Sequence, residues 1–107
     1  MYHRSVAPER EHVIQIARLA GIDAFTQRFG APQASQPDEA SLRAFVAERA
    51  ESIGRGLVEE AAASDDVTDI ESAESYLEDR LRTLSGVIDP AAADRVRAAF
   101  RDGTKAW

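Results

Sequence analysis

Residues 68–84 read TDIESAESYLEDRLRTL, and the apolar spacing of this stretch decides the fold class. Its apolar residues recur every three or four positions: Ile70, Ala73, Leu77, Leu81 and Leu84. Such spacing puts them on one face of an α-helix and approximates a heptad seam. Thr68 and Glu71 fit a capping box at the helix start, and Ser85-Gly86 provides a stop. We therefore predict a helix over residues 68–84.

Similar patterns predict the remaining helices. Apolar periodicity indicates long helices near residues 8–20, 37–63 and 90–101, and a short helix between Asp23 and Gly30. Proline or aspartate stands at each of these predicted starts, and glycine follows most of the ends. No segment alternates apolar and polar residues over a strand's length. We expect an all-α fold, a small antiparallel helical bundle of about four helices plus one short helix, with residues 1–107 forming a single domain.

The predicted core collects the large apolar side chains on the inner faces of these helices. Its members are Ile16, Leu19, Phe25, Phe29, Leu42, Phe45, Val46, Ile53, Leu57, Ile70, Leu77, Leu81, Leu84, Val96 and Phe100. The apolar link Val87-Ile88 is also expected to be buried. Trp107 has two alternatives: it packs back onto the bundle, or it stays exposed for a partner.

Gly54-Arg55-Gly56 interrupts the apolar seam of the 37–63 helix. Each glycine costs about 1 kcal/mol relative to alanine inside a helix, so its presence needs a reason. Two explanations stay open: another helix approaches closely here, or the helix kinks or breaks. We favour a continuous helix whose bare backbone meets a second copy of the chain. The candidate partner-binding residues are therefore Gly54, Arg55, Gly56 and Trp107, and the expected state is a homo-oligomer.

The charge balance limits the classes of partner. The chain carries 13 basic and 19 acidic residues, a formal net charge of −6, and no cysteine. Without a basic face, direct nucleic-acid binding is not expected. The acidic surface is most simply a solvated one, and a basic protein partner is the alternative. Residues 59–79 hold a run of acids that is most simply a solvated helix face. The alternatives are a surface for a basic protein and, last, mimicry of a nucleic-acid backbone, since Arg80 and Arg82 follow closely. No apolar run is long enough for a membrane span.

Glu9-x-x-His12 is the one spacing that resembles a metal motif. On a helix these two side chains face the same way, as in the carboxylate–histidine pairs of ferritin-like di-iron proteins. A full site would need a second copy of the pair across a dimer. The candidates for an extra ligand are Glu59, Glu60, Glu74 and Glu78. The simpler interpretation is a solvated first helical turn, so no cofactor is expected.

Nothing in the sequence predicts catalysis. His3 and His12 are the only histidines, and no serine lies in a recognisable nucleophile motif. The leading hypothesis is a small acidic, non-enzymatic protein-interaction module: an adaptor, inhibitor or assembly subunit acting through an apolar helix face. The absence of cysteine fits a cytoplasmic location. The alternatives are a metal-binding protein using Glu9 and His12, and a regulator that binds a basic nucleic-acid-handling protein.

Overall fold

The structure, a computed structural model, describes residues 8–107, and the predicted all-α fold is confirmed. These residues form six helices and no strand: α1 (Arg10–Ala20), α2 (Ile22–Phe29), α3 (Glu39–Glu48), α4 (Ala50–Ala63), α5 (Ile70–Thr83) and α6 (Pro90–Gly103). None of these helices is long and apolar enough to cross a bilayer. Residue His3 lies outside the described range.

Local sequence signals account for most helix ends. Gly21 and Gly30 end α1 and α2 with φ angles of 109° and 93°, a region that only glycine enters without strain. Pro90 opens α6 at a position where its missing N–H costs nothing. The capping box of α5 lies one residue later than predicted. The Asp69 carboxylate accepts from the Ser72 N–H at 2.8 Å, and the Ser72 hydroxyl accepts from the Asp69 N–H at 3.0 Å.

The predicted continuous helix over residues 37–63 is wrong, because helical geometry is interrupted at Arg49. This residue has φ −110° and ψ 22°, which separates α3 from α4. The break lies five residues before Gly54, so the glycines do not cause it. The Arg49 guanidinium instead reaches α1, where Nε and Nη2 donate to the Ala20 carbonyl at 3.2 and 2.9 Å. A cation at the C-terminal end of a helix is favourable there, so Arg49 joins the break to the end of α1.

The most extensively packed helix pair, α4 and α6, runs parallel. Near the start of both helices, Arg95 forms an ion pair with Glu51 at 2.9 Å. Further along, Gly103 at the end of α6 lies against Val58 in α4, so residue numbers rise together along the two helices. Since α4 and α6 point the same way, the chain must return between them, and it does so through α5.

The returning helix α5 is antiparallel to α6. Glu78 pairs with Arg97 at 2.8 Å, and one turn earlier in α5, Glu74 pairs with Arg101 at 3.1 Å. Because Glu74 and Arg101 approach opposite termini of their helices, the start of α5 lies beside the end of α6. The antiparallel expectation therefore holds for these successive helices but not for α4 and α6.

The core contains nearly all the predicted residues. Thirteen of the fifteen are buried: Ile16, Leu19, Phe25, Leu42, Phe45, Val46, Ile53, Leu57, Leu77, Leu81, Leu84, Val96 and Phe100. Val87 and Ile88 are buried as predicted. Phe29 is only partly buried, although its ring packs 5.0 Å from Phe25 and 5.4 Å from Phe45 between centroids. Ile70 was wrongly placed in the core: it is 46% exposed, because it is the first residue of α5 and lies at the end of the bundle.

We predict that Leu77→Ala lowers the free energy of unfolding by about 2–5 kcal/mol, the usual range for a buried leucine. Leu77 is fully buried. The matched control is Ile70→Ala on the same helix, which should cost about 1 kcal/mol or less because its side chain is already half exposed. Urea denaturation followed by circular dichroism measures both. Equal losses for the two variants would contradict the placement of α5.

Candidate interaction surface

The first candidate binding residue, Gly54, faces α6 of its own chain. A Cβ added to Gly54 would lie 2.6 Å from the Ala99 Cβ and 2.7 Å from the Val96 carbonyl oxygen. Both distances are shorter than real Cβ atoms tolerate, so only glycine allows this approach. The close-packing explanation of the sequence pattern is correct, but the neighbour is an intramolecular helix and not a second copy.

Gly56 has the same role toward α1. Its added Cβ would lie 2.8 Å from the Leu19 carbonyl oxygen and 3.2 Å from the Leu19 Cα. Arg55, between the two glycines, is exposed, and its Nη2 approaches the Ser52 hydroxyl at 3.4 Å. The space beside Gly54 and Gly56 is therefore taken by α6 and α1 of the same chain.

The candidate metal pair lies at the start of α1. Glu9 is the N-cap residue and is exposed, while His12 is partly buried in the first turn. Within residues 8–107, no three side chains of histidine, cysteine, aspartate or glutamate gather where they could hold one ion. Glu59, Glu60, Glu74 and Glu78 thus supply no third ligand within one chain. Three of these acids have arginine partners instead. Glu60 lies 3.9 Å from Arg18, and Glu74 and Glu78 pair with arginines of α6.

The last candidate, Trp107, lies at the same end of the molecule as Ile70. Its backbone N–H donates to the Thr104 carbonyl at 3.1 Å, which closes a turn just after α6. The ion pairs between α5 and α6 place this end of α6 beside the start of α5, where Ile70 stands. Both side chains are 46% exposed, and they are two of the three large apolar residues exposed in the described chain. The third, Ile22, begins α2.

Acidic side chains surround this end of the bundle. The turn between α4 and α5 and the first turn of α5 contribute Asp65, Asp66, Asp69 and Glu71. Within residues 8–107 none of them has a basic nitrogen within 4.0 Å. Hydrogen bonds from Ser72 hold the pKa of Asp69 below its usual value, so that carboxylate stays ionised. We call the surface formed by residues 64–71 and 103–107 the acidic end.

Further along α5, Glu74, Glu78 and Asp79 form ion pairs with arginines. The bidentate hydrogen bond from Arg97 lowers the pKa of Glu78, although partial burial opposes the shift. Arg28 of α2 likewise lowers the pKa of Glu48 on α3, and Arg95 of α6 lowers the pKa of Glu51 on α4. The acidic end therefore combines four acids that have no basic partner within 4.0 Å among residues 8–107 with two of the three exposed large apolar side chains.

A groove of about 480 Å³ adjoins the acidic end along α5. Its apolar lining comes from Val67 and the Tyr76 ring, and its acidic lining includes Asp66 and Asp79. The Tyr76 hydroxyl donates to Glu60 at 3.1 Å, which fixes the ring against α4. The groove thus extends the combination of apolar and acidic groups away from the end of the bundle.

Comparison with known proteins found no matching family model, no matching curated protein and no matching solved structure. The candidate surface therefore rests on the residues of this chain. Sequence reasoning identified Trp107 and the acidic run but assigned Ile70 to the core. The available signal was the complete absence of lysine and arginine between residues 56 and 79. That absence leaves acids in the turn beyond the reach of any local partner.

We predict that Gly54→Ala lowers the free energy of unfolding by about 1–3 kcal/mol, the usual cost of overpacking, although alanine favours helix. The physical reason is the 2.6 Å approach to the Ala99 Cβ. Gly86→Ala is the matched control, because nothing lies within 4 Å of its added Cβ. Urea midpoints compare the two variants. If Gly54→Ala were as stable as the wild type, α6 would not pack against α4 at this position.

We also predict that the pair of Glu78 and Arg97 contributes to acid sensitivity. The native pKa of Glu78 is lowered, so its stabilisation is present above the unfolded value of about 4.3 and is lost as pH falls through the native value. Arg97→Gln should be less stable than the wild type at neutral pH, and the difference should shrink as the pH falls below the unfolded pKa of the Glu78 carboxyl.

The control for this prediction is Arg82→Gln, which removes an exposed pair with Asp79 inside α5. Exposed pairs of this kind contribute little, so the urea midpoint of this variant should follow that of the wild type at every pH. A pH-independent difference between Arg97→Gln and the wild type would show that Arg97 acts by packing rather than by charge.

Proposed function

We propose that this protein is a non-enzymatic protein-interaction module, working as an adaptor, inhibitor or assembly subunit, and that the acidic end is its contact surface. The observation that supports the proposal is that Ile70 and Trp107, both exposed, lie at the end of the bundle where residues 64–71 carry acids with no basic partner within 4.0 Å among residues 8–107. Soluble proteins usually bury large apolar side chains, and tryptophan is among the residues that contribute most at interfaces. The proposal replaces the contact face inferred from Gly54 and Gly56.

The proposal includes a cytoplasmic location and a protein partner rather than nucleic acid. The net charge of −6 supports the second point, because phosphate groups would be repelled. The first point is supported by the absence of cysteine. Homo-oligomerisation remains a prediction, now without the close backbone approach that motivated it.

Affinity capture from a lysate of the native host, with three forms of the 107-residue chain as bait, tests this function. We expect at least one protein to be retained by the wild type and by Ile22→Ser, and to be lost with Ile70→Ser. Ile22 is the matched control because it is also an exposed isoleucine in the first position of a helix, 51% exposed against 46%.

Circular dichroism should give the same helix content for all three baits, since neither substitution touches a buried side chain. The proposal is wrong if the wild type and both variants retain the same set of proteins.

A further inference from the structure

Among residues 8–107, the acids of the acidic end have no basic neighbour that forms an ion pair with them. Residues 64–71 contain only acidic charges, and the sole base in residues 103–107 is Lys105. Lys105 lies 3.5 Å from Asp102 and so already has a partner. The nearby arginines of α6 are also engaged, because Arg97 and Arg101 pair with Glu78 and Glu74. Within the part of the chain that the structure describes, the carboxylates of the α4–α5 turn therefore have no basic group within ion-pair distance.

The apolar part of the acidic end fits a side chain of a partner rather than a small ligand. Ile70 and Trp107 are each about half exposed, and the ion pairs between α5 and α6 place them at the same end of the bundle. A partner that covers Ile70 and Trp107 at this end of the bundle also faces the acids of the acidic end, which include Asp65, Asp66 and Glu71. Basic side chains beside the apolar anchors would satisfy these acids, whereas neutral or acidic ones would leave charge repulsion or desolvation uncompensated.

A second copy of the chain is a poor occupant for this surface. A symmetric dimer would bring two acidic ends face to face, with the same unpaired carboxylates on each side. Like charges placed opposite each other at an interface oppose association. The charge complementarity thus favours a partner of a different kind from the chain itself.

We infer that the acidic end binds a basic amphipathic segment of another protein, which buries apolar side chains against Ile70 and Trp107 and pairs lysine or arginine with the acids of the α4–α5 turn. This inference rests on the proposed function and specifies the chemistry of its partner. The groove along α5, which Val67 and Tyr76 line together with Asp66, begins at the same turn, and Ile70 and Trp107 lie outside its lining.

Trp107 provides a direct measurement, because it is the only tryptophan in the chain. The probe is a synthetic tryptophan-free peptide of leucine and lysine arranged as an amphipathic helix, and the matched probe has glutamate in place of lysine. We expect the lysine peptide to cause a saturable blue shift of Trp107 emission and the glutamate peptide to cause none. Raising the salt concentration from about 50 mM to about 500 mM should weaken the binding, because the ionic contacts are screened.

Two matched variants test the location of the contact. Asp65→Asn with Asp66→Asn should weaken peptide binding about tenfold, equivalent to about 1.4 kcal/mol. Glu11→Gln with Asp23→Asn changes the net charge equally, but these exposed residues lie on α1 and α2. This control should bind the lysine peptide within about twofold of the wild type, since long-range charge effects are screened by salt.

Equal weakening in both double variants would overturn the inference, because the peptide would then be responding to overall charge. Binding of the glutamate peptide would also overturn it. A blue shift that follows protein concentration without peptide would show that a second copy occupies the surface. If the lysine peptide fails while protein capture still depends on Ile70, the inference falls and the interaction function stands. If capture does not depend on Ile70, the proposed function itself fails.

Discussion

The rest of the structure depends on how closely α4 approaches two other helices. Gly54 and Gly56 are two positions apart on α4 and therefore point to different sides of it. Through Gly54 the backbone of α4 lies against α6, and through Gly56 it lies against α1. A side chain at either position would push a neighbouring helix away and open the core between them. The conformational cost of two glycines inside one helix is offset by packing that no other residue permits.

The helices themselves could be predicted because their signals are local. Apolar spacing, proline at the start of α6 and glycine at the ends of α1 and α2 act within one turn of the chain. The break at Arg49 has no such signal, since neither glycine nor proline stands there. It accompanies a contact with the Ala20 carbonyl, 29 residues away in sequence. The glycine pattern indicated close packing, but periodicity along one helix does not specify which backbone comes near.

The candidate surface was harder to predict, because it is defined by what each acid meets in space. Glu74 and Glu78 belong to the same acidic run as Asp65 and Asp66, yet only the first two face arginines of α6. Ile70 follows the seam of α5, but a seam continues to the end of its helix whether or not another helix extends that far. Burial at a helix terminus depends on the relative lengths and offsets of neighbours, which sequence spacing does not contain. The proposed contact surface lies where acids that meet no arginine and an apolar residue at a helix terminus occur at the same end of the bundle.

The parallel arrangement of α4 and α6 also constrains the order in which the chain folds. The contact between Gly54 and Ala99 joins residues separated by the whole of α5 and its two turns. Closing such a long loop lowers the entropy of the chain before the contact forms. Helices that are adjacent in sequence close a shorter loop and so come together faster. During synthesis, α4 is complete before any of α6 has left the ribosome. The side of α4 that carries Gly54 therefore stays exposed to solvent until α6 has been synthesised.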